Sequence, residues 1–312
     1  MIDRFDYNVT KLQKSSIEQP YTLQGRAIAA TSRAMSANSP ADPVDPIEPI
    51  AVRTLIAAYA SGIFPMADSR DDSDIYWVEP KRRAILPLDA FQLSRSLAKT
   101  LRRGHFRVTS DACFSAVVAA CAEAAPGRET TWINAVIERS YAGLFAAGFA
   151  HSIECWAKDE LVGGLYGVAI GRAFFGESMF SRRTDASKVA LAHLVARLRA
   201  GGYRLLDCQF MTTHLASLGA IEMSQAAYLR RLQPAVAGAF AGGAGVAVGA
   251  GAAAGGAAGV PSGGAGAGLA DWGALDALAG AAAAGRAAPG SASSDISTSP
   301  GQLIVQLLTN TS

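Results

Sequence analysis

From Ala235 to Pro300 the chain is almost entirely Ala and Gly with some Ser and Pro, and its only charges are Asp271, Asp276, Arg286 and Asp295. Such a stretch has too few large aliphatic side chains to bury the area that would offset the ordering entropy of its glycines. Residues 234–312 therefore read as an Ala/Gly-rich disordered tail, in which Gln302 to Leu308 alone is apolar enough for a stray helix or strand. The tail also inflates the apolar half of the 312-residue composition. At the other end, Ser39 to Pro49 holds four prolines and several acids, so 1–49 reads as a flexible extension. What can pack a core is about Ile50 to Gln233.

Several function classes find no footing. No stretch of ~20 residues has the Leu, Ile and Phe density of a membrane span, and Met1 to Ser39 lacks the apolar core of a signal peptide. Cys113, Cys121, Cys155 and Cys208 are widely spaced, with no metal-ligand pair and no disulfide framework. Four buried thiols in a reducing cytoplasm is the simplest reading. No HExxH, CxxC or phosphate-loop pattern supports a metal or a nucleotide triphosphate, and no cofactor is expected.

The net charge of +2 conceals a local asymmetry. Lys81, Arg82, Arg83, Arg95, Lys99, Arg102, Arg103 and Arg107 face the single acid Asp89 between 81 and 107, a local charge of +7. Arg95, Lys99 and Arg102 fall at i, i+4 and i+7, along one face of a helix. An ordinary solvated face and a grip on a phosphate backbone account for this equally well.

Periodicity predicts a helix over Ala51 to Ala60 stopped by Gly62, short strands at Ile75 to Val78 and Ala84 to Leu88, and a basic helix at Ser94 to Arg103. A strand at His105 to Thr109 precedes a helix capped by Asp111, and Asn134 to Ala147 forms another. The period then changes to two. His151 to Trp156, Leu161 to Ile170 and Arg172 to Phe175 read as strands, with glycines that bend or bulge them. Ser187 to Arg199 is an amphipathic helix, Tyr203 to Cys208 a buried strand, and Ser224 caps a last helix. The order is an α+β pattern.

Polar groups interrupt this apolar frame at Gly176 to Ser181, at Asp207-Cys208-Gln209, and at His214 with Ser217 to Ala220. Strand ends carrying an acid and an amide are common sites, though Asp207 as a helix cap and Gln209 as a surface residue fit the local pattern equally. No Gly-x-Ser-x-Gly elbow occurs. Cys208 near His214 could suggest a nucleophilic pair, but a structural thiol is the simpler reading.

Taken in order, Gly62-Ile63-Phe64-Pro65, Thr131-Trp132-Ile133, His151 to Trp156, Leu161 to Gly167, Gly176 to Ser181, Ala186-Ser187-Lys188, Asp207-Cys208-Gln209 and His214 to Ala220 resemble the signature segments of leucyl/phenylalanyl-tRNA–protein transferases. The resemblance covers about Ile50 to Gln233. It implies a small N-terminal domain (50–110) and a GNAT-like acyltransferase domain (111–233). It also implies transfer of Leu or Phe, less often Met, from aminoacyl-tRNA to proteins with N-terminal Lys or Arg, which creates an N-terminal degradation signal. By the same resemblance Asp207, Gln209 and Glu177 are catalytic. Trp132 holds the 3′-terminal adenosine. Leu165, Phe174, Met179 and Leu194 shape the side-chain pocket, and Tyr141 is a further site residue by position. Lys81, Arg82, Arg83, Arg95, Lys99, Arg102 and Arg103 would grip the tRNA. The chain departs from the family where Met66 follows Gly-Ile-Phe-Pro in place of Trp, which weakens the platform for a base. Tyr76-Trp77-Val78-Glu79-Pro80 also alters the family's double Trp.

Two other readings share these features. An acetyl-CoA acetyltransferase would need a Gly-rich turn before its central helix, and Arg182 to Ala186 has none. A non-catalytic tRNA-binding module would use the basic helix but has no need of Asp207, Gln209 and Glu177.

Overall fold

The computed structural model describes residues 9–12, 48–125, 129–240, 270–283 and 299–309. Among these, a three-stranded antiparallel sheet joins β1 (Val9–Leu12), β3 (Tyr76–Pro80) and β2 (Phe64–Met66), in the order β1-β3-β2. Beside it, α1 (Val52–Ala60) buries Leu55, Ile56 and Tyr59. Gly62 follows at φ +83°, where a side chain would be strained, and the backbone turns directly into β2.

The chain enters the larger sheet at β4 (Arg82–Ile85), one residue after β3 ends. The remaining strands are β5 (Arg107–Ser110), β6 (Ala150–Ala157), β7 (Glu160–Ile170), β8 (Ala173–Ser181), β9 (Leu205–Asp207) and β10 (Ile221–Ser224). They lie in the order β10-β4-β9-β8-β7-β6-β5, antiparallel throughout except for β8 with β9. The sheet is mixed, and its one parallel pair is joined by the crossover helix α5 (Ala186–Ala200), as a parallel pair requires.

Side chains alternate across the strands, so the sheet carries a core on each face. Phe175, Tyr166 and Val168 pack with α1, α3 (Phe114–Ala122), α4 (Ala135–Ala146) and α7 (Gln225–Val236). Phe174, Leu165 and Leu206 pack on the other face with α5 and α2 (Arg95–Arg103). Helix ends follow the expected chemistry. Ser94, Asn134 and Ser224 accept hydrogen bonds from Leu97, Ile137 and Ala227 N–H, and Gly104 closes α2 at φ +61°.

Three findings differ from the sequence-based expectations. Asp111 does not cap α3; Cys113 occupies that position. Asp111 instead sits at φ +57°, accepts from Ser152 N–H (2.8 Å), and lies 2.8 Å from His151 Nδ1. Second, two parts of the expected disordered tail are helices. α8 (Ala274–Ala283) and α9 (Pro300–Thr309) bury Leu275, Ile304, Val305 and Leu308 in the core shared by α5 and α2. A few large side chains anchored on a ready-made apolar surface suffice where an isolated segment would not fold. Buried Arg197 fixes α8 further, donating to Asp276 and to the Trp272 carbonyl at 2.6–2.7 Å. Third, β2, β10 and α6 (Thr213–Ser217) were not anticipated, being three to five residues long. Within 1–49, β1 is paired on β3 and residues 48 and 49 are exposed; 1–8 and 13–47 of that extension, and 241–269, 284–298 and 310–312 of the tail, lie outside the described residues.

Candidate active site

β8 and β9 are paired only over Ala173–Phe175 and Leu205–Asp207. Beyond that point the two strands part, and a cavity of about 530 Å³ fills the opening. Its floor is apolar and comes from the α5 face: Leu165, Met179, Leu191, Leu194 and Leu206. Phe64, Met66 and Trp132 line it from the N-terminal side, and Thr212, His214 and Leu215 from the α6 side. Glu177 and Gln209 reach the cavity from its two strand edges.

Glu177 owes its place to a β-bulge. Across β7–β8, Tyr166 faces Ser178 and Gly167 faces Gly176, so Glu177 is the extra residue with no partner opposite. The bulge shifts the phase of the strand, which is why Phe175 and Phe180, an odd number of residues apart, share one core. Gly167 is required there: a Cβ on it would stand 2.2 Å from the Phe175 carbonyl oxygen and 2.4 Å from the Phe174 ring.

The turned carboxylate is held from both sides. Tyr141 donates to Glu177 Oε2 (2.7 Å), Tyr59 hydroxyl bonds that of Tyr141, and Gln209 Nε2 donates to Oε1 (3.1 Å). Burial pushes Glu177 up to about 7, against the lowering effect of the tyrosine hydrogen bonds and of Arg83. Burial and then the Glu177 charge hold both phenols well above the usual tyrosine value.

Asp207 is fully buried at 0 % exposure and pairs with Arg83 at 1 %. Arg83 Nε and Nη2 reach the carboxylate at 3.0 and 2.6 Å, and Tyr228 hydroxyl donates to Oδ2 at 2.8 Å. Burial works against the Arg83 cation, but Asp207 more than offsets it and raises its pKa above the ordinary arginine value. Asp207 Oδ1, which accepts from Arg83 Nε, also accepts the backbone N–H of Gln209 at 2.9 Å. Ala84 donates to the Gln209 carbonyl (3.0 Å), and Cys208 donates to the Ala84 carbonyl (2.9 Å). These bonds hold Gln209 at φ +55°, a left-handed conformation that a non-glycine residue adopts only under constraint.

The structure thus brings Asp207, Gln209 and Glu177 together, with Tyr141 behind them and Trp132, Leu165, Met179 and Leu194 at the cavity. Phe174 does not line it. Its ring fills the space over Gly167 at the closed end of β8 and stacks on Trp272 at 5.6 Å, so it belongs to the core and not the pocket. Arg83 is likewise removed from any surface that could meet a tRNA, because it is enclosed as the partner of Asp207 between the Phe64 and Tyr228 rings. Arg82 is exposed and pairs with Glu222. Arg95, Lys99, Arg102 and Arg103 are exposed, opposite the buried Leu97, Ala98 and Leu101, and Lys81 is exposed at the β3–β4 turn.

Of the thiols, Cys121 and Cys155 are buried as expected, whereas Cys113 and Cys208 are only partly so. Cys208 lines the cavity, but burial and Asp207 push its thiol well above the usual range, which disfavours the nucleophilic thiolate. Sequence reasoning missed Tyr59, Tyr228 and the pairing role of Arg83. Each looked like an ordinary core or charge-run residue, and only the packing of segments far apart in sequence joins them.

The leucyl/phenylalanyl-tRNA protein transferase family profile matches residues 85–233, and the profile of its N-terminal domain matches 49–81. The chain belongs to the leucyl/phenylalanyl-tRNA–protein transferase family. It is 62 % identical over 199 residues to the leucyl/phenylalanyl-tRNA–protein transferase of Rhizorhabdus wittichii, covering 64 % of this chain and 77 % of that one. It is 55 % identical over 262 residues to the protein of the same name from Novosphingobium aromaticivorans, covering 83 % and 95 %. The match to the Zymomonas mobilis transferase is 60 % over 186 residues, covering 60 % and 69 %. The chain is accordingly an aminoacyltransferase of this family. Among the described residues no helix is long and apolar enough to cross a membrane.

Proposed function

We propose that this transferase moves Leu or Phe, less often Met, from aminoacyl-tRNA to the N-terminal Lys or Arg of acceptor proteins in the cytoplasm, forming an N-terminal degradation signal. The observation that carries the reading is the opened sheet: an apolar cavity of about 530 Å³ with Glu177 and Gln209 bonded to each other on its wall. That volume lies within the ~300–1,000 Å³ of small-molecule sites. Residues 50–110 are the small domain and 111–233 the GNAT-like catalytic domain in this reading, with β4 and β5 lent by the first to the sheet of the second.

The aminoacyl ester is already activated, so the reaction needs orientation and charge handling more than a cofactor. The acceptor's neutral amine attacks the ester carbonyl, the new C–N bond forms, and the C–O bond to ribose breaks. Holding both ends in line supplies ~7–11 kcal/mol of the barrier. Leu165, Met179 and Leu194 receive the transferred side chain. Gln209 Nε2 is committed to Glu177, which leaves its Oε1 to accept from the attacking amine. Glu177 anchors the amine, and with a pKa of about 7 it is suited to exchange a proton near neutral pH. Asp207, locked by Arg83 and Tyr228, is a positioning residue that fixes the Gln209 backbone. Trp132 holds the 3′-adenosine, where Met66 gives a poorer platform than an aromatic ring. Lys81, Arg82 and the exposed face of α2 meet the acceptor-stem phosphates without reading bases.

Incubation with Phe-tRNA and a peptide beginning with Arg tests the reading. A mass gain of one Phe residue on the peptide, absent for the same peptide beginning with Asp, is expected. No gain with Phe-, Leu- or Met-tRNA would overturn it.

A further inference from the structure

A second cavity of about 500 Å³ lies at the start of β9, the end opposite Asp207 and Gln209. Three arginines from three separate elements line it: Arg199 in the last turn of α5, Arg204 before β9, and Arg231 on α7. Among the described residues, Asp89 is the one carboxylate on its wall. Arg204 and Arg231 are exposed and have no ion-pair partner among the described residues. Arg199 is fixed by two carbonyls, Nε donating to Leu88 (2.6 Å) and Nη1 to Leu307 of α9 (2.7 Å). Its Nη2 is buried and has no hydrogen-bond partner among the described residues. A guanidinium nitrogen left without an acceptor is costly, and native structures rarely leave one so. Like charges converging on one cavity also repel unless an anion joins them.

We propose that this cavity is an anion site that takes a single phosphate group, held by Arg199, Arg204 and Arg231. Guanidinium forks match a tetrahedral oxyanion, and three of them outweigh Asp89. Phosphate rather than carboxylate is favoured because more than two donor groups converge and a phosphate offers more acceptor oxygens. The docked tail is part of the site, since α9 supplies the carbonyl that orients Arg199. Among the described residues, Leu206 is the one lining both this cavity and the larger one, so the phosphate would lie directly behind the wall of the first pocket. Two sources share this chemistry: a backbone phosphate of bound tRNA, and free inorganic phosphate.

The test uses the full-length chain and Arg204→Gln/Arg231→Gln, whose positions are exposed and lie outside the larger cavity. Thermal unfolding is followed as inorganic phosphate replaces chloride at fixed ionic strength. Phe-tRNA binding is measured separately across a salt series. A saturable rise in midpoint with phosphate that the double variant loses supports the site. If the double variant also binds tRNA several-fold more weakly, with the log–log salt slope lowered by about 1, the occupant is a backbone phosphate. A lowered slope without any phosphate-induced rise supports the same occupant. Loss of the rise with unchanged tRNA affinity identifies free phosphate. A rise that persists in the double variant, or the absence of both effects, overturns the proposal. Neither arm measures transfer, so failure here leaves the transferase reading untouched.

Discussion

On the α1, α3, α4 and α7 face of the large sheet, the side chains grouped at the opening include a hydrogen-bonded polar cluster behind the cavity wall: Tyr59, Tyr141, Glu177, Tyr228 and the enclosed Arg83–Asp207 pair. On the α5 face they are Leu165, Met179, Leu191, Leu194 and Leu206. One strand supplies both kinds, because Leu206 and Asp207 are neighbours in β9 and point to opposite faces. Each face is an apolar core where the strands stay paired, and the sheet keeps the polar cluster embedded in one apart from the apolar floor on the other. Where β8 and β9 part, the two meet around one cavity. In the proposed function, reactivity and selection belong to separable layers, and perturbing each should leave a different signature.

The largest effect should come from the polar face. Arg83→Met leaves the Asp207 carboxylate buried without its cation, and breaking such a pair costs ~3–5 kcal/mol. Urea unfolding reads this directly. Arg83→Met/Asp207→Leu replaces both charges with apolar groups and is expected to recover most of that stability. It should still not transfer, because Gln209 loses the carboxylate that holds its N–H. Normal transfer by the double variant would remove the pair from the mechanism.

Glu177→Gln tests the same face at its cavity edge. Transfer is expected to fall by ~10²–10⁴-fold while Phe-tRNA binding stays unchanged. In the parent chain, acceptor kcat/KM should rise as pH passes about 7, where the carboxylate ionises, and the variant should lack that step. Stability gives an independent reading. The folded state holds the Glu177 proton up to about pH 7, whereas the unfolded chain releases it near the ordinary value of 4.5. The folded state therefore binds more protons between these values, and this group makes stability decline as pH rises through that window. Glu177→Gln should flatten the decline; an unaltered slope would mean that the carboxylate is not desolvated.

The two faces were unequally legible in the sequence. α2, α4, α5 and the β6–β8 run were readable because period and caps agree: Ser94, Asn134 and Gly104 sit where helix ends need them. Leu165, Met179 and Leu194 followed from the family resemblance and do line the cavity. The polar layer was only half visible. Asp207, Gln209 and Glu177 stood out as polar breaks in apolar strands, but nothing local marks Arg83 as different from Arg82. Burial alone separates them, one paired with Asp207 and the other exposed on Glu222. Phe174 erred in the opposite direction, since a large apolar residue beside a pocket motif looks like lining until Gly167 reveals where its ring goes. The tail failed for a different reason. Averaged over an Ala/Gly segment, the large side chains of 270–309 vanish, yet docking depends on those few and not on the average.

The apolar face should respond in selectivity more than in rate. Leu194→Ala enlarges the pocket floor and is expected to shift the ratio of Phe to Leu transferred toward Phe by roughly tenfold, within the ~1–3 kcal/mol that pocket volume can discriminate. Competition between Phe-tRNA and Leu-tRNA for one peptide reads the ratio without needing absolute rates. A uniform loss with the ratio unchanged would mean that the side chain is read elsewhere.

The smallest effect should lie furthest from the opening, where the tail meets the α5 face. Trp272 stacks between His151 (4.1 Å) and Phe174 (5.6 Å), and its indole N–H donates to Asp111 at 2.9 Å. Trp272→Ala removes two ring contacts, the Arg197 guanidinium over the ring (5.0 Å) and one hydrogen bond, a loss of ~1–2 kcal/mol after neighbouring side chains relax. Because none of these groups lines the larger cavity, transfer and the Phe-to-Leu ratio should both hold. Amide exchange would separate the two ways of losing the stability. Faster exchange confined to 270–283 means that α8 lifts away from an intact sheet. Faster exchange extending to β6 and β8 means that the indole is a structural member of the apolar layer itself, and that outcome would draw the boundary between the faces deeper than the pocket.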